Sequence, residues 1–276
     1  VAYYGRYTTL TDVKNTYIGT TKTGQDQLFN DLIDSTSQEI DDISNRRFVP
    51  WVNTETYDTP ANRYGPLDLD DDLLALTTLT NGDGTVIPSS AYKLYPLNAW
   101  PKERIVLLSS SAIGWRLTGQ GDREGAIAVL GIYGYHDDYT NAWRQVDTLN
   151  GAMSDTTGAS FTTTGSATIK AGQLVQIDSE MLYAGAVSGS AVSAVVRGVN
   201  GSTAATHLNG APVLVWVQRD IEMVCRVAVV AYERLKNNPA GDTQTVAGYQ
   251  FSTPKDVTKF IETRLGKLGV VRTGFY

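Results

Sequence analysis

The stretch TGQDQLFNDLIDSTSQEIDDISNRRFVPW, residues 23–51, frames the first half of the chain. Thr23 and Asp26 form an S/T-x-x-D/E start signal, in which each side chain can satisfy a free backbone N–H of the first turn. Phe29, Leu32, Ile33, Thr36, Ile40 and Ile43 then recur at three- and four-residue steps, the apolar face of a long helix. Arg46 and Arg47 follow at its end, where cations suit the helix dipole. Phe48, Pro50 and Trp51 then turn the chain into an extended segment, because proline disfavours helix at the residue before it. Asp31, Asp34, Glu39, Asp41 and Asp42 form the acidic side of this helix, a candidate acidic surface.

Upstream, Thr9 and Asp12 signal a first short helix over about Leu10–Ile18, stopped by Gly19. The two helices form an expected antiparallel pair. Downstream, Trp51–Tyr57, Leu73–Thr80, Thr85–Ile87, Tyr92–Tyr95, Arg104–Leu108 and Ile127–Tyr135 read as a meander of short strands. Asn81-Gly82-Asp83-Gly84 is its strongest hairpin signal, since these residues tolerate the positive φ of tight turns. The acidic run Asp70–Asp72 reads as a solvated loop before a strand.

From about Asn150 to Pro212 the composition shifts to Gly, Ala, Ser, Thr and Val with few charges, which reads as an inserted small β domain. Its expected strands are Ala167–Ile169, Gln173–Ile177, Met181–Ala186 and Ala191–Arg197. Helical periodicity returns at Arg219–Leu235, apolar on two sides. Met223, Val227 and Val230 make the second side, so they are candidates, with Arg46 and Arg47, for packing against a neighbouring subunit. Thr253 caps a last helix from Pro254 to Leu268, with Val257, Phe260, Ile261, Leu265 and Leu268 as its apolar face. The expected fold class is α+β: a helical core (N-terminal helix pair plus C-terminal helices), a β meander and an inserted small all-β domain. The expected domains are 1–149, 150–212 and 213–276.

The chain has 276 residues, 42% of them apolar, enough for a sizeable core. A formal charge of −6 argues against a protein whose main task is to grip nucleic acid, because grip comes from Lys and Arg neutralising phosphates. The single Cys225 excludes an internal disulfide. No apolar run approaches the ~20 residues of a membrane span, and no signal peptide is read at the start. The protein reads as soluble and made in a cytoplasm, and Asn200-Gly201-Ser202 reads as a turn. No motif for nucleophilic, zinc or phosphate chemistry is present. His136 and His207 stand far apart, each expected in a structural or surface role, and Gly119–Gly125 reads as a turn. The chain is expected not to be an enzyme, and to use no cofactor or metal.

The order of the segments carries a resemblance. Thr9-Leu10-Thr11-Asp12-Val13-Lys14, the amphipathic helix ending in Asn45-Arg46-Arg47-Phe48, then Asp71–Leu79 and Tyr92-Lys93-Leu94-Tyr95-Pro96-Leu97-Asn98 follow one another as in the head–tail connector (adaptor, or head-completion) proteins of tailed bacteriophages. The resemblance covers about residues 8–145 and resumes at Arg219. It implies a structural virion protein at the neck. Such a protein forms a ring, dodecameric in the family, beneath the portal protein. The ring extends the channel for passing double-stranded DNA, with Asp31, Asp34, Glu39, Asp41 and Asp42 as candidates for its lining, and docks a stopper or tail-completion protein. It also makes the last helix and tail, with Phe260, Leu268, Arg272, Phe275 and Tyr276, candidates for the portal contact. Within the insert, Glu180–Gly185 followed by Val196-Arg197-Gly198-Val199-Asn200-Gly201 through His207 is similar to small β modules of phage virion proteins. Two alternatives stand beside the connector reading: a tail or baseplate structural protein, and a glycan-binding virion protein.

Overall fold

A computed structural model of the protein describes residues 4–18, 23–165, 168–238 and 242–270. Thr9 caps α1 (Leu10–Val13) by accepting the Asp12 N–H at 3.1 Å, but the α geometry lasts one turn before Lys14–Ile18 widens into a π turn. The long helix α2 runs Asp26–Ser44. Thr23 does not cap it through its side chain; its carbonyl accepts the Asp26 N–H instead. What ends α2 is Asn45 in the left-handed conformation (φ 51°), the place where Asn is tolerated after glycine.

The chain divides into two compact units, Val49–Ala142 and the combination of Val1–Phe48 with Trp143–Tyr276. In Val49–Ala142 the strands are β1 (Trp51–Tyr57), β2 (Leu67–Thr80), β3 (Val86–Ile87), β4 (Tyr92–Tyr95), β5 (Lys102–Leu107) and β6 (Ile127–Tyr133). They form one antiparallel sheet in the order β1-β6-β2-β5-β4, with β3 on the end of β2. Ile127, Val129 and Tyr133 alternate inward along β6, meeting Leu73, Leu79 and Ile105 in one core. Gly131 lies between them because a Cβ there would stand 2.6 Å from the Ala75 carbonyl oxygen.

The acidic run Asp70–Asp72 is not a loop. It lies inside β2, where Asp70 continues the alternation of buried Leu67 and Leu69 with exposed Asp68, before the pairing with β5 shifts register between Asp68 and Leu73 and Asp72 is buried. The hairpin at Asn81 is locked to a distant loop: Asn81 is buried, its amide donates to the Gly114 carbonyl (3.0 Å) and its oxygen accepts from Arg116 N–H (2.8 Å). The loop between β4 and β5 is built around a buried amine, as Lys102 Nζ donates to the carbonyls of Pro96, Leu97 and Ala99 (2.7, 3.2 and 2.7 Å).

The second unit holds a small β module and a helical part. In the module β7 (Trp143–Thr148), β9 (Leu174–Ile177), β10 (Glu180–Tyr183) and β13 (Pro212–Trp216) pair as β10-β9-β13-β7. β8 (Ser160–Thr162), β11 (Ala186–Ser188) and β12 (Ala191–Ser193) pair as β11-β12-β8. Phe161, Val175, Ile177, Leu182, Val192, Val213 and Val215 fill the module's own core. The helical part has α3 (Arg219–Lys236), the hairpin β14 (Gln244–Val246) and β15 (Tyr249–Phe251), and α4 (Pro254–Leu268). Thr253 and Asp256 form a reciprocal capping box at the start of α4, and Gly269 (φ 65°) closes it. Helix α3 packs against α2, α4, β14 and α1.

The expected α+β class with a helical connector core is therefore corrected. Helix accounts for 27% of the described residues, and fifteen strands among them form four antiparallel sheets. The N-terminal helix pair fails because its first member is four α residues long. The contact boundaries also differ from the division 1–149, 150–212 and 213–276. Trp143–Thr148 and Pro212–Trp216 are both strands of the module's own sheet. No helix among the described residues is long and apolar enough to cross a membrane.

Replacing Asn81 with Ala removes the groups that serve the Gly114 carbonyl and the Arg116 N–H. The expected loss is about 2 kcal/mol of unfolding free energy, read from urea denaturation.

Candidate functional site

Two clusters of charged groups stand out, both in the unit of Val1–Phe48 with Trp143–Tyr276. The first lies along the acidic side of α2. Residues 30, 34, 37 and 41 share one face of a helix, and the segment Tyr4–Thr9 is strapped along it. Arg6 grips Asp34 with two bonds (2.5 and 2.6 Å) and Asn30 with a third (2.9 Å). The Tyr7 N–H donates to Ser37 Oγ at 3.1 Å, and the Tyr7 hydroxyl donates to Asp41. The same hydroxyl accepts the Phe48 N–H at 2.9 Å, and the Phe48 carbonyl accepts from Trp216 Nε1 at 2.8 Å. At the strap's start Asn200 holds the Tyr4 backbone from both sides (2.8 and 3.3 Å), while the Tyr4 ring lies 4.6 Å from that of Tyr183.

Between strap, helix and module is a cleft of about 540 Å³, bordered by Arg6, Asp34, Asp41, Asp42, Arg47 and Tyr183. Burial raises the Asp41 carboxyl to about 7, against the opposing pull of the Tyr7 hydroxyl and Arg47 and with help from Asp42. Glu39 is also engaged: the Tyr232 hydroxyl donates to it (2.8 Å) and so does Thr258 Oγ1 (2.7 Å), tying α2 to α3 and α4. Of the five acids expected to face a channel or acidic surface, Asp34, Glu39 and Asp41 are thus occupied by the chain itself. Asp31 and Asp42 are exposed.

The second cluster is inside the β module. Glu180 is fully buried and its carboxylate accepts from Arg197 Nε and Nη2 (both 2.8 Å), Gly198 N–H (2.9 Å) and Ala205 N–H (3.0 Å). His207, also fully buried, bridges Glu180 through Nε2 and Asp178 through Nδ1, each at 2.8 Å. Burial alone would raise the Glu180 carboxyl, but the bonds from Arg197, Ala205, His207 and Gly198 outweigh it and hold it below the usual carboxylate range. A carboxylate this fully satisfied and closed from solvent reaches no substrate. It is a clamp that joins β10, the 197–198 turn and the 205–207 loop.

The remaining candidates fall as follows. Val227 and Val230 are 0% exposed, so the second apolar side of α3 is spent within the chain and not on a neighbouring subunit. Met223 and Arg46 are half-buried, and Arg47 is exposed. Phe260 is buried edge-on against Tyr249 (4.7 Å) and Phe251 (5.6 Å), which removes it as a free portal anchor. Leu268 is half-buried, and Arg272, Phe275 and Tyr276 lie outside the described residues. The Glu180–Arg197–His207 cluster is the feature that sequence reasoning missed. Its signal was three strongly polar residues in a stretch otherwise poor in charge. No protein-family model matches the chain, and no curated protein matches it.

The raised Asp41 carboxyl favours the protonated folded state, a contribution full below its unfolded value of 3.8 and lost as pH rises through about 7. The stability of the natural chain relative to Asp41→Asn is expected to decline between those values by at most about 1.4 kcal/mol per pH unit, read from paired thermal melts. The depressed Glu180 works in the opposite sense, stabilising above its unfolded value of 4.5 and failing as pH falls through its lower folded value. Glu180→Gln leaves Arg197 buried beside a neutral partner. A cost of about 3–5 kcal/mol in chemical denaturation is the expected outcome.

Proposed function

We propose that this protein is a head–tail connector of a tailed bacteriophage. In this reading, copies of the chain form a ring, dodecameric by resemblance, beneath the portal protein at the virion neck. The ring extends the DNA channel and offers the next surface to a stopper or tail-completion protein. It is structural and performs no chemistry. Double-stranded DNA passes without specific binding, and exposed acids such as Asp31 and Asp42 suit a wall to which it does not adhere.

The observation that best supports the reading is what Asn45-Arg46-Arg47-Phe48 does. These residues are one of the segments whose order carries the resemblance, and they build the corner where the long helix becomes strand. Asn45 takes the left-handed turn, Arg47 stays exposed, and Phe48 is fully buried with its N–H and carbonyl both bonded to side chains. A signature with that physical role is worth more than a match of letters.

Electron micrographs of the purified protein mixed with portal rings test the reading. Rings coaxial with portal are the expected image, and truncation after Gly269 is expected to abolish them while leaving the fold intact by circular dichroism. Portal rings that stay bare with the full chain present would sink it.

A further inference from the structure

The sheet of Val49–Ala142 ends in two strands, β1 and β4, and the chain treats them differently. Strand β4 has four residues, carries exposed Lys93 and is followed by Pro96. Short length, lysine and proline are the ordinary protections of a sheet edge against pairing. Strand β1 has seven residues in unbroken register with β6, from Trp51 opposite Tyr133 to Tyr57 opposite Ile127. It contains neither lysine nor proline, and Asn53, Thr54 and Thr56 are exposed. Among the described residues, the backbone groups of Val52–Thr56 that point away from β6 meet no other strand and no loop. The strand's one charge, Glu55, accepts from the Asn53 amide at 2.6 Å.

Read outward from Thr54, this unguarded strand is self-complementary. Trp51 mirrors Tyr57, Val52 mirrors Thr56, and Asn53 mirrors Glu55. Were two such strands to run antiparallel with Thr54 facing its counterpart, every mirrored pair would fall directly opposite. β-branched would meet β-branched, and each Glu55 would face an amide donor instead of the other carboxylate, while at the two ends Trp51 would fall opposite Tyr57, whose ring is buried in the core of its own sheet. Directly opposed pairs of these kinds are what stabilise an antiparallel contact, and a patch that complements itself is what a two-fold contact requires. The guarded β4 offers no such match.

We infer that β1 is a docking edge for β1 of a second copy of this chain, the two sheets joining antiparallel about Thr54. The contact does not depend on the connector reading, and concerns the chain whether or not a portal is present.

Cysteine substitution tests it. In this register the Cα atoms at position 54 lie about 4.5–5.5 Å apart across the axis, within the Cα spacing that a disulfide accepts. The two copies of position 56 lie about 14 Å apart, four strand residues from one another. Mild oxidation of Thr54→Cys is expected to give a reducible band at twice 29.9 kDa on a denaturing gel. Thr56→Cys under the same conditions is expected to stay single, and the natural chain also, because Cys225 is buried. Both positions are exposed, so circular dichroism of each variant should match the natural chain. Failure of Thr54→Cys to cross-link in concentrated solution, or equal cross-linking at position 56, overturns the inference. Portal binding is measured separately, so either proposal can fail alone.

Discussion

The peptide of Phe48 is the point on which the larger unit depends. Its N–H is taken by the Tyr7 hydroxyl and its carbonyl by the Trp216 indole, so the strap, the end of α2 and the end of β13 meet at one residue. The Phe48 side chain is buried and stands edge-on to Tyr7, 5.6 Å between ring centroids. A buried peptide must have both groups satisfied or lose on the order of 1–3 kcal/mol for each. Here both partners are side chains from other parts of the sequence. Secondary structure stops at Asn45, and side chains take over what the backbone ladder can no longer do.

The same economy explains where the charges sit. Lys102 holds three carbonyls, Glu180 takes five hydrogen bonds, and Glu39 links three helices. In each case an ionised group organises irregular backbone or ties separate elements that hydrophobic contact alone would leave free to slide. The Glu180 cluster gives physical sense to the Arg-Gly and His positions of the β module. Arg197 supplies the fork, Gly198 the positive φ of 60° and His207 the bridge to Asp178.

Much of this was legible in the sequence, and the failures have definite causes. The 3.6-residue periodicity marked α2, α3 and α4, and Asn81-Gly82 marked the first hairpin. Composition placed the module's edge at Asn150, yet its first strand begins at Trp143. Arg144, Gln145 and Asp147 make that strand look foreign to a charge-poor insert. Asp70–Asp72 passed for a loop because an acidic run suggests solvent, while the period of two through Leu67 and Leu69 carried the better information. The two apolar sides of α3 were read correctly as buried, but periodicity does not say by what, and the answer was α2, α4, β14 and α1 in place of another subunit. The β10–Arg197–His207 cluster joins residues 27 apart in sequence, a separation over which spacing rules carry no signal.

Trp216 touches more than Phe48. Its ring also lies 5.1 Å from that of Trp143, so one indole holds both the residue where the chain leaves the larger unit and the residue where it returns. Everything between those points is, along the chain of the larger unit, a single connection. Loop-closure entropy grows only as the logarithm of length, and here the closure is made by a fixed tryptophan whatever the loop contains. Phe48 and Trp143 therefore mark a splice site: the 94 residues of Val49–Ala142 could be lengthened, shortened or exchanged for another domain without the host unit having to refold.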